Sequence, residues 1–354
     1  MRVPAFRYDC KMPAELLTLT DCGLYCPDGD FYIDPWKPVE RAIVTHAHAD
    51  HARWGMKRYL CSKEGEGVTR IRVGHESHID TLEYGEVTTI NGVRVSLHPA
   101  GHILGSAQVR IERLGEVWVV SGDYKTEPDP TCTPFDLVPC HTFITESTFG
   151  LPIYRWPGES VVFAQIDEWW RRNQSIGKAS VLEGYALGKS QRALAGVDAS
   201  IGPIFVHGAV KTLTDAYRRQ GINLPETRIV GEVEKGYDWS QALIVAPPGS
   251  HATPWGRKFG DQSTAFLSGW MRIRGTRRRR AVDRGFVLSD HVDWPALLET
   301  IKGTGAESVW VTHGYSAVVV QYLESLGLSA RVLPTRWEGE QDSSGEELGL
   351  EDAA

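Results

Sequence analysis

No apolar run in this 354-residue sequence approaches the roughly 18 residues that a membrane-spanning helix needs. The N-terminal stretch MRVPAFRYDCKMPAELLTLT also lacks the apolar core of a secretory signal peptide. Neither a membrane span nor a leader is expected, and the cytoplasm is the expected location. Cysteine is scarce. The six (Cys10, Cys22, Cys26, Cys61, Cys132, Cys140) are scattered, which argues against a disulfide-stapled secreted domain. Cys22-x3-Cys26 has no second close pair to complete a structural zinc site, so plain structural thiols are expected.

An excess of one charge is missing from the body of the chain as well. The net charge of −7 comes from the tail 338–354, EGEQDSSGEELGLEDAA, which carries seven of the 45 acidic residues and no basic one. The remainder balances at 38 acidic against 38 basic residues. Any grip on a polyanion must therefore come from local clusters rather than from the global field. The tail itself has the composition of a disordered segment.

What the sequence does have is a crowd of ligand-type side chains. The stretch Val44–Gly55, VTHAHADHARWG, sets three histidines and an aspartate as H-x-H-x-D-H directly after the apolar run Ala42–Val44. His46 and His48, two apart on extended backbone, point the same way and can grip one cation. Asp50 and His51 follow as the chain turns and can serve a second. Further on come His102 in PAGHILGSA, Asp123 in VVSGDYK, which has two oxygens to share between ions, and His313 in VTHGYS. Six of the twelve histidines (His46, His48, His51, His102, His291, His313) fall at the ends of candidate strands, where α/β folds place their chemistry. His75, His78, His98, His141, His207 and His251 read as packing or solvent-facing residues. Imidazole and carboxylate without thiolate suit two divalent ions, zinc first, with manganese or iron as alternatives. Two such ions lower the pKa of a shared water toward about 7, which is hydrolase chemistry.

The texture along the chain suggests an interrupted α/β domain. Strands are expected at Phe31–Ile33, Ala42–Val44, Val93–Leu97, Val117–Val120 and Thr142–Thr145. A different module should begin near residue 158, with helices at Val161–Arg172, Ser190–Gly196 and Leu213–Gln220 and strands at Ile204–Val206 and Ala242–Ala246. Strand-then-ligand texture returns near residue 282 with GFVLSDH and again with VWVTHG.

With those residues in place, the sequence resembles the metallo-β-lactamase superfamily, which implies a four-layer αββα sandwich. Asp34 in FYIDP looks like that family's early supporting aspartate, with Asp21 a poorer match. Glu146 in ITESTFG, His291 in LSDHVDW and His313 in VTHGYS resemble the three special motifs of the β-CASP nucleases, which carry an α/β cap inserted in the lactamase fold. The resemblance implies residues 1–157 and 282–337 as the two parts of the lactamase domain, 158–281 as the cap and 338–354 as the tail. It also implies His46, His48 and His102 on one ion, Asp50, His51 and His313 on the other, and Asp123 between them. Glu146 and His291 would pair near the scissile phosphate, His291 stabilising the oxyanion or protonating the leaving oxygen.

TESTFG, YALGKSQR and AGHILGSA are similar to RNA 3′-end-processing endonucleases. GLYCPDGDFYIDPW, THAHADHARWG, APPGSHATPWGRKFGDQSTAFLSGWMRIRG and DRGFVLSDHVDW are similar to bacterial DNA ligase-associated exonucleases. This longer match implies single-stranded DNA as substrate, a repair role and a functional link to an ATP-dependent DNA ligase. His313 at the third motif implies RNA. For substrate contacts, Lys189 and Arg192 flank a helix start that suits phosphate. Arg272 and Arg274 share a face if extended, and Trp270 can stack a base. Arg53 and Trp54 either line the cleft or, in the case of Trp54, simply pack. A small-molecule hydrolase on the same fold would need neither the inserted module nor Glu146 and His291. A binding subunit without metal would be expected to have lost ligands that this chain keeps.

Overall fold

A computed structural model describes residues 15–273 and 282–336. Among these, strands gather into three sheets. The first runs in chain order: β1 (Thr18–Thr20), β2 (Gly23–Cys26), β3 (Phe31–Ile33), β4 (Arg41–Ile43), β5 (Arg58–Ser62) and β6 (Ile79–Leu82). The second contains β7 (Val87–Ile90), β8 (Val93–Pro99), β9 (Ala107–Arg113), β10 (Glu116–Val120), β11 (Thr142–Glu146), β18 (Ser308–Thr312) and β19 (Ser329–Val332). Its spatial order is β19-β18-β11-β10-β9-β8-β7. The meander from β7 to β10 is antiparallel, and β10, β11, β18 and β19 run parallel.

Side-chain alternation assigns each face of these two sheets. Leu24, Phe31, Ile33 and Ile43 of the first sheet share one buried cluster with Val95, Val109, Trp118, Val120 and Ile144 of the second, so the sheets stack on a common core. The intervening residues of the second sheet, Val119, Phe143, Val309 and Val311, face the other way. They pack on helices α5 (Trp294–Thr304) and α6 (Ser316–Ser325). Ala42 and Val44 likewise turn outward to Val73 at the end of α1 (Glu66–Val73). The layers are therefore helix, sheet, sheet, helix.

The third sheet is wholly parallel, with the order β14-β13-β15-β12-β16-β17. Its strands are β12 (Ala179–Glu183), β13 (Ile204–Val206), β14 (Arg228–Ile229), β15 (Leu243–Ala246), β16 (Gln262–Leu267) and β17 (Arg284–Phe286). Both faces are covered, as parallel sheets require. One face packs on α2 (Glu159–Ser175), α3 (Lys189–Gly196) and α4 (Gly208–Arg219), and α2 buries Val162, Phe163, Ile166, Trp169, Trp170 and Asn173 at helical spacing. The sheet ends at Phe286, five residues beyond the break expected at 281, because the backbone of β17 pairs with β16 before the chain returns. Arg274 and the tail 338–354 lie outside the described residues.

The loop that carries His102 is pinned where it crosses the start of α1. Ser62 Oγ donates to the carbonyl of Gly105 at 2.5 Å. A Cβ at Gly105 would stand 2.0 Å from the Cα of Gly65, and Gly105 also has a φ of +75°. Gly92 has a similar φ of +84° but nothing within 4 Å of its added Cβ. Gly92→Ala should therefore cost only the left-handed backbone penalty of about 1–2 kcal/mol. Gly105→Ala should cost clearly more in denaturant unfolding, and equal losses would refute the crossing.

Candidate metal centre

The H-x-H-x-D-H segment leaves β4 and turns at once, His51 N and Ala52 N both donating to the carbonyl of His48. Asp34, fully buried, sets this turn. Its Oδ1 accepts from Thr45 N at 2.8 Å, and its Oδ2 accepts from Thr45 Oγ1 at 2.6 Å and from His51 Nδ1 at 2.7 Å. Because the Thr45 hydroxyl spends its proton on Asp34, it accepts from His46 Nδ1 at 3.0 Å. The proton positions on the other rings follow by the same reasoning, since a carbonyl can only accept. His102 Nδ1 donates to the carbonyl of Asp290 at 2.7 Å, and His48 Nε2 to that of Leu187 at 3.2 Å.

Each of these three neutral rings is left with one lone pair, and the lone pairs converge. His48 Nδ1 and His102 Nε2 lie 3.1 Å apart, and His46 Nε2 is buried with no hydrogen-bond partner among the described residues. Facing lone pairs repel, so this arrangement suits a cation. Asp123 completes it, with Oδ2 3.5 Å from His46 Nε2, 3.6 Å from His51 Nε2 and 3.9 Å from His102 Nε2. Its other oxygen lies 3.4 Å from His313 Nδ1, and Asp50 Oδ2 lies 3.5 Å from His51 Nε2. Two donor groups result that share Asp123: His46, His48 and His102 on one side, His51 and His313 on the other. Among the described residues no cysteine belongs to such a group.

The electrostatics favour the donor forms. Burial pushes His46, His48 and His102 down, and His46 and His102 are held well below the ordinary histidine value by neighbouring imidazoles as well. His51 moves oppositely. Burial opposes its protonation, but the carboxylates of Asp50, Asp123 and Asp34 prevail and raise it to about 10. Burial alone would raise Asp123, yet the surrounding imidazoles, His51 foremost, hold it well below the usual carboxylate range. The surplus of negative charge recruits a proton to His51, a site that a divalent cation would fill instead.

Beside this cluster, His291 Nδ1 meets both oxygens of Glu146, at 2.9 and 2.8 Å, and Glu146 Oε1 also accepts from Tyr124 N at 2.9 Å. Both side chains are buried, and donor atoms of Asp123, Glu146 and His291 lie within 4.8 Å of one another. The His291 and His102 rings are 4.7 Å apart.

Four residues expected to touch substrate are described, and two stand differently from that expectation. Lys189 and Arg192 are buried, Arg192 Nη1 3.0 Å and Lys189 Nζ 3.4 Å from Asp290, so both charges are spent inside the protein. Arg192 Nε also reaches Glu159 at 3.0 Å, and Lys125 lies 2.5 Å from Asp129 in the same buried network. Trp270 is half-buried in an aromatic group, its ring 4.9 Å from Phe149 and 5.8 Å from Tyr154. Arg272 is exposed, and its Nε donates to the carbonyl of Ile153 at 3.4 Å.

Asp290 was missed as a working residue, although it directly precedes His291. Its carboxylate answers Lys189 and Arg192, and its carbonyl fixes the ring of His102. Asp290→Asn should destabilise the fold by about 3–5 kcal/mol by leaving buried cations without their counter-charge. Breaking the exposed pair of Lys57 and Glu40 with Lys57→Ala should leave the unfolding midpoint in place. Denaturant titration of both variants checks the contrast.

No family model matches the chain. It is 31% identical, over 312 residues, to a protein of Opitutus terrae named as a probable DNA ligase. That match covers 87% of this chain but 30% of the relative. It is 25% identical to an RNase J-like protein of Methanocaldococcus jannaschii, over 65% of each chain. The chain thus spans less than two thirds of either relative. In fold it is similar to a crystal structure of a protein of unknown function from Enterococcus faecalis V583, with a TM-score of 0.56 at 12% identity, covering 84% of this chain and 80% of that one. The chain is therefore homologous to an RNase J-like protein and to a segment of a named DNA ligase, with a mixed α/β fold shared beyond recognisable sequence.

Proposed function

We propose that the chain is a metal-dependent nuclease of the metallo-β-lactamase/β-CASP kind, hydrolysing phosphodiester bonds in single-stranded nucleic acid. The observation that carries this reading is the convergence of lone pairs from His46, His48 and His102 on Asp123, with the Glu146–His291 pair directly alongside. His46, His48, His102 and Asp123 would hold one divalent ion. Asp123, Asp50, His51 and His313 would hold the second, with Asp34 orienting His51 and, through Thr45, His46. Imidazole with carboxylate suits zinc, and manganese as alternative. When bound, such a pair polarises the phosphodiester and makes water nucleophilic near neutral pH.

The chain's own residues supply the rest. Glu146 accepts a hydrogen bond from Nδ1–H of His291, which directs Nε2 away from the carboxylate and steadies the protonated ring. From there His291 can donate to the departing sugar oxygen, a poor leaving group without a proton. The third sheet with α2, α3 and α4 would form the inserted cap.

Within this reading we favour a single-stranded DNA exonuclease with a repair role, because the match to the relative named as a probable DNA ligase extends over 87% of this chain. The same match supports a functional link to a DNA ligase, which the resemblance to DNA ligase-associated exonucleases narrows to an ATP-dependent one. RNA processing is the second reading, favoured by His313 at the third motif and by similarity to an RNase J-like protein. Among the described residues no helix is long and apolar enough to cross a membrane.

End-labelled DNA and RNA of matched sequence, incubated with zinc or manganese, separate the two. Stepwise shortening of the DNA alone, lost in Asp123→Ala, is the expected result, and cutting of RNA alone would establish the second reading. His291→Asn should lower kcat roughly 10²–10⁴-fold while the metal bound per chain stays unchanged. A parallel loss of metal would mean that His291 is a ligand instead.

A further inference from the structure

Trp54 is 80% exposed, unusual for the side chain with the most apolar surface to hide. Packing does not explain it, and neither does a slack loop. Tyr59, buried, donates its hydroxyl proton to the carbonyl of Arg53 at 2.8 Å, and the Tyr59 hydroxyl oxygen accepts from Met56 N at 3.0 Å. The backbone is thus tied on both sides of Trp54, and the indole is held outward on a fixed support.

It borders a cavity of about 640 Å³, within the size range of small-ligand pockets. One wall is formed by Ala49 and Ala52, neighbours of Asp50 and His51 in the metal-site turn. The lining includes three cationic residues, Lys37, Arg53 and Arg72, and no acidic one. Arg53 Nε is buried with no hydrogen-bond partner among the described residues, a cost unless a ligand meets it. Arg72 Nε donates to the carbonyl of Ala47, between the two histidines of the motif, so the same side chain joins the groove to the centre.

A stacking platform, cations without anions and a shared wall with the reaction centre fit one occupant. We infer that this groove binds the single-stranded nucleic acid next to the scissile bond, one base lying on Trp54 and its phosphate meeting Arg53 and Lys37. The inference rests on the nuclease reading and adds a subsite to it. Base–aromatic stacking is tolerant of sequence and of sugar, so DNA and RNA are both accommodated. A protein partner would have less use for a lining with three cationic residues and no acidic one.

The test measures binding without turnover. Fluorescent oligo-dT and oligo-U are titrated with the full chain in EDTA, using wild type, Trp54→Ala and Arg53→Gln. Unfolding midpoints and zinc bound per chain serve as controls that a merely disrupted turn would move. Trp54→Ala should weaken binding roughly tenfold with both controls unchanged. Arg53→Gln should weaken it and flatten its salt dependence. Unchanged affinity in both variants overturns the subsite, as does a Trp54-dependent dimer seen by sedimentation. If wild type binds the oligonucleotides through Trp54 but cuts neither when zinc or manganese is restored, the nuclease reading fails and the groove stands. If wild type binds neither, the subsite falls, and the nuclease reading falls with it only if neither is cut when zinc or manganese is restored.

Discussion

A carboxylate at the meeting point of four imidazoles is the constraint around which this molecule is arranged. Asp123 is almost completely buried, where an ion without partners would be expensive. The four imidazoles that offset the cost come from three separate parts of the chain: His46 and His51 from the turn after β4, His102 from the loop before β9, and His313 from the strand end after β18. Bringing them together requires two stacked sheets whose strands end on the same side. Core packing supplies that alignment, and the hydrogen bonds of Asp34, Thr45 and Asp290 then choose which ring nitrogen faces inward.

The buried ionic network extends this dependence to the third sheet. Lys189 and Arg192 lie at the start of α3, while their shared partner Asp290 lies in the segment returning from β17. Taking these charges out of water is tolerable only because each finds an opposite charge at hydrogen-bond range. The module is thereby fastened at the point where the backbone orients His102. Fastening and orientation use one residue, Asp290, through its side chain and its main chain respectively.

Much of this was readable from sequence where the signal was local. H-x-H-x-D-H and the strands that end at ligands are short-range patterns, and β3 and β13 fall at the expected residues. Helix α2 runs slightly beyond its expected span because its ends are polar and carry no apolar spacing. The short strands β1, β6 and β7 were overlooked because each is only 3 or 4 residues long and partly exposed, with too few apolar positions to mark it. Lys189 and Arg192 were misjudged because a basic helix start looks the same whether it faces phosphate or a carboxylate about a hundred positions away. Trp54 was undecidable, since residue type does not reveal that the Tyr59 hydroxyl ties the backbone at Arg53 and holds the indole outward.

The chain enters the third sheet's module shortly after Glu146 and leaves it, through β17, shortly before His291. The two ends of a long excursion are thus joined by one hydrogen-bonded pair. In mechanical language, the module is a lever whose short arm is Ser289-Asp290-His291. Any swing that widened the space between module and sheets would work against that arm and shift the imidazole from its carboxylate. The placement of the module and the geometry of the Glu146–His291 pair are thereby coupled through one hydrogen-bonded contact.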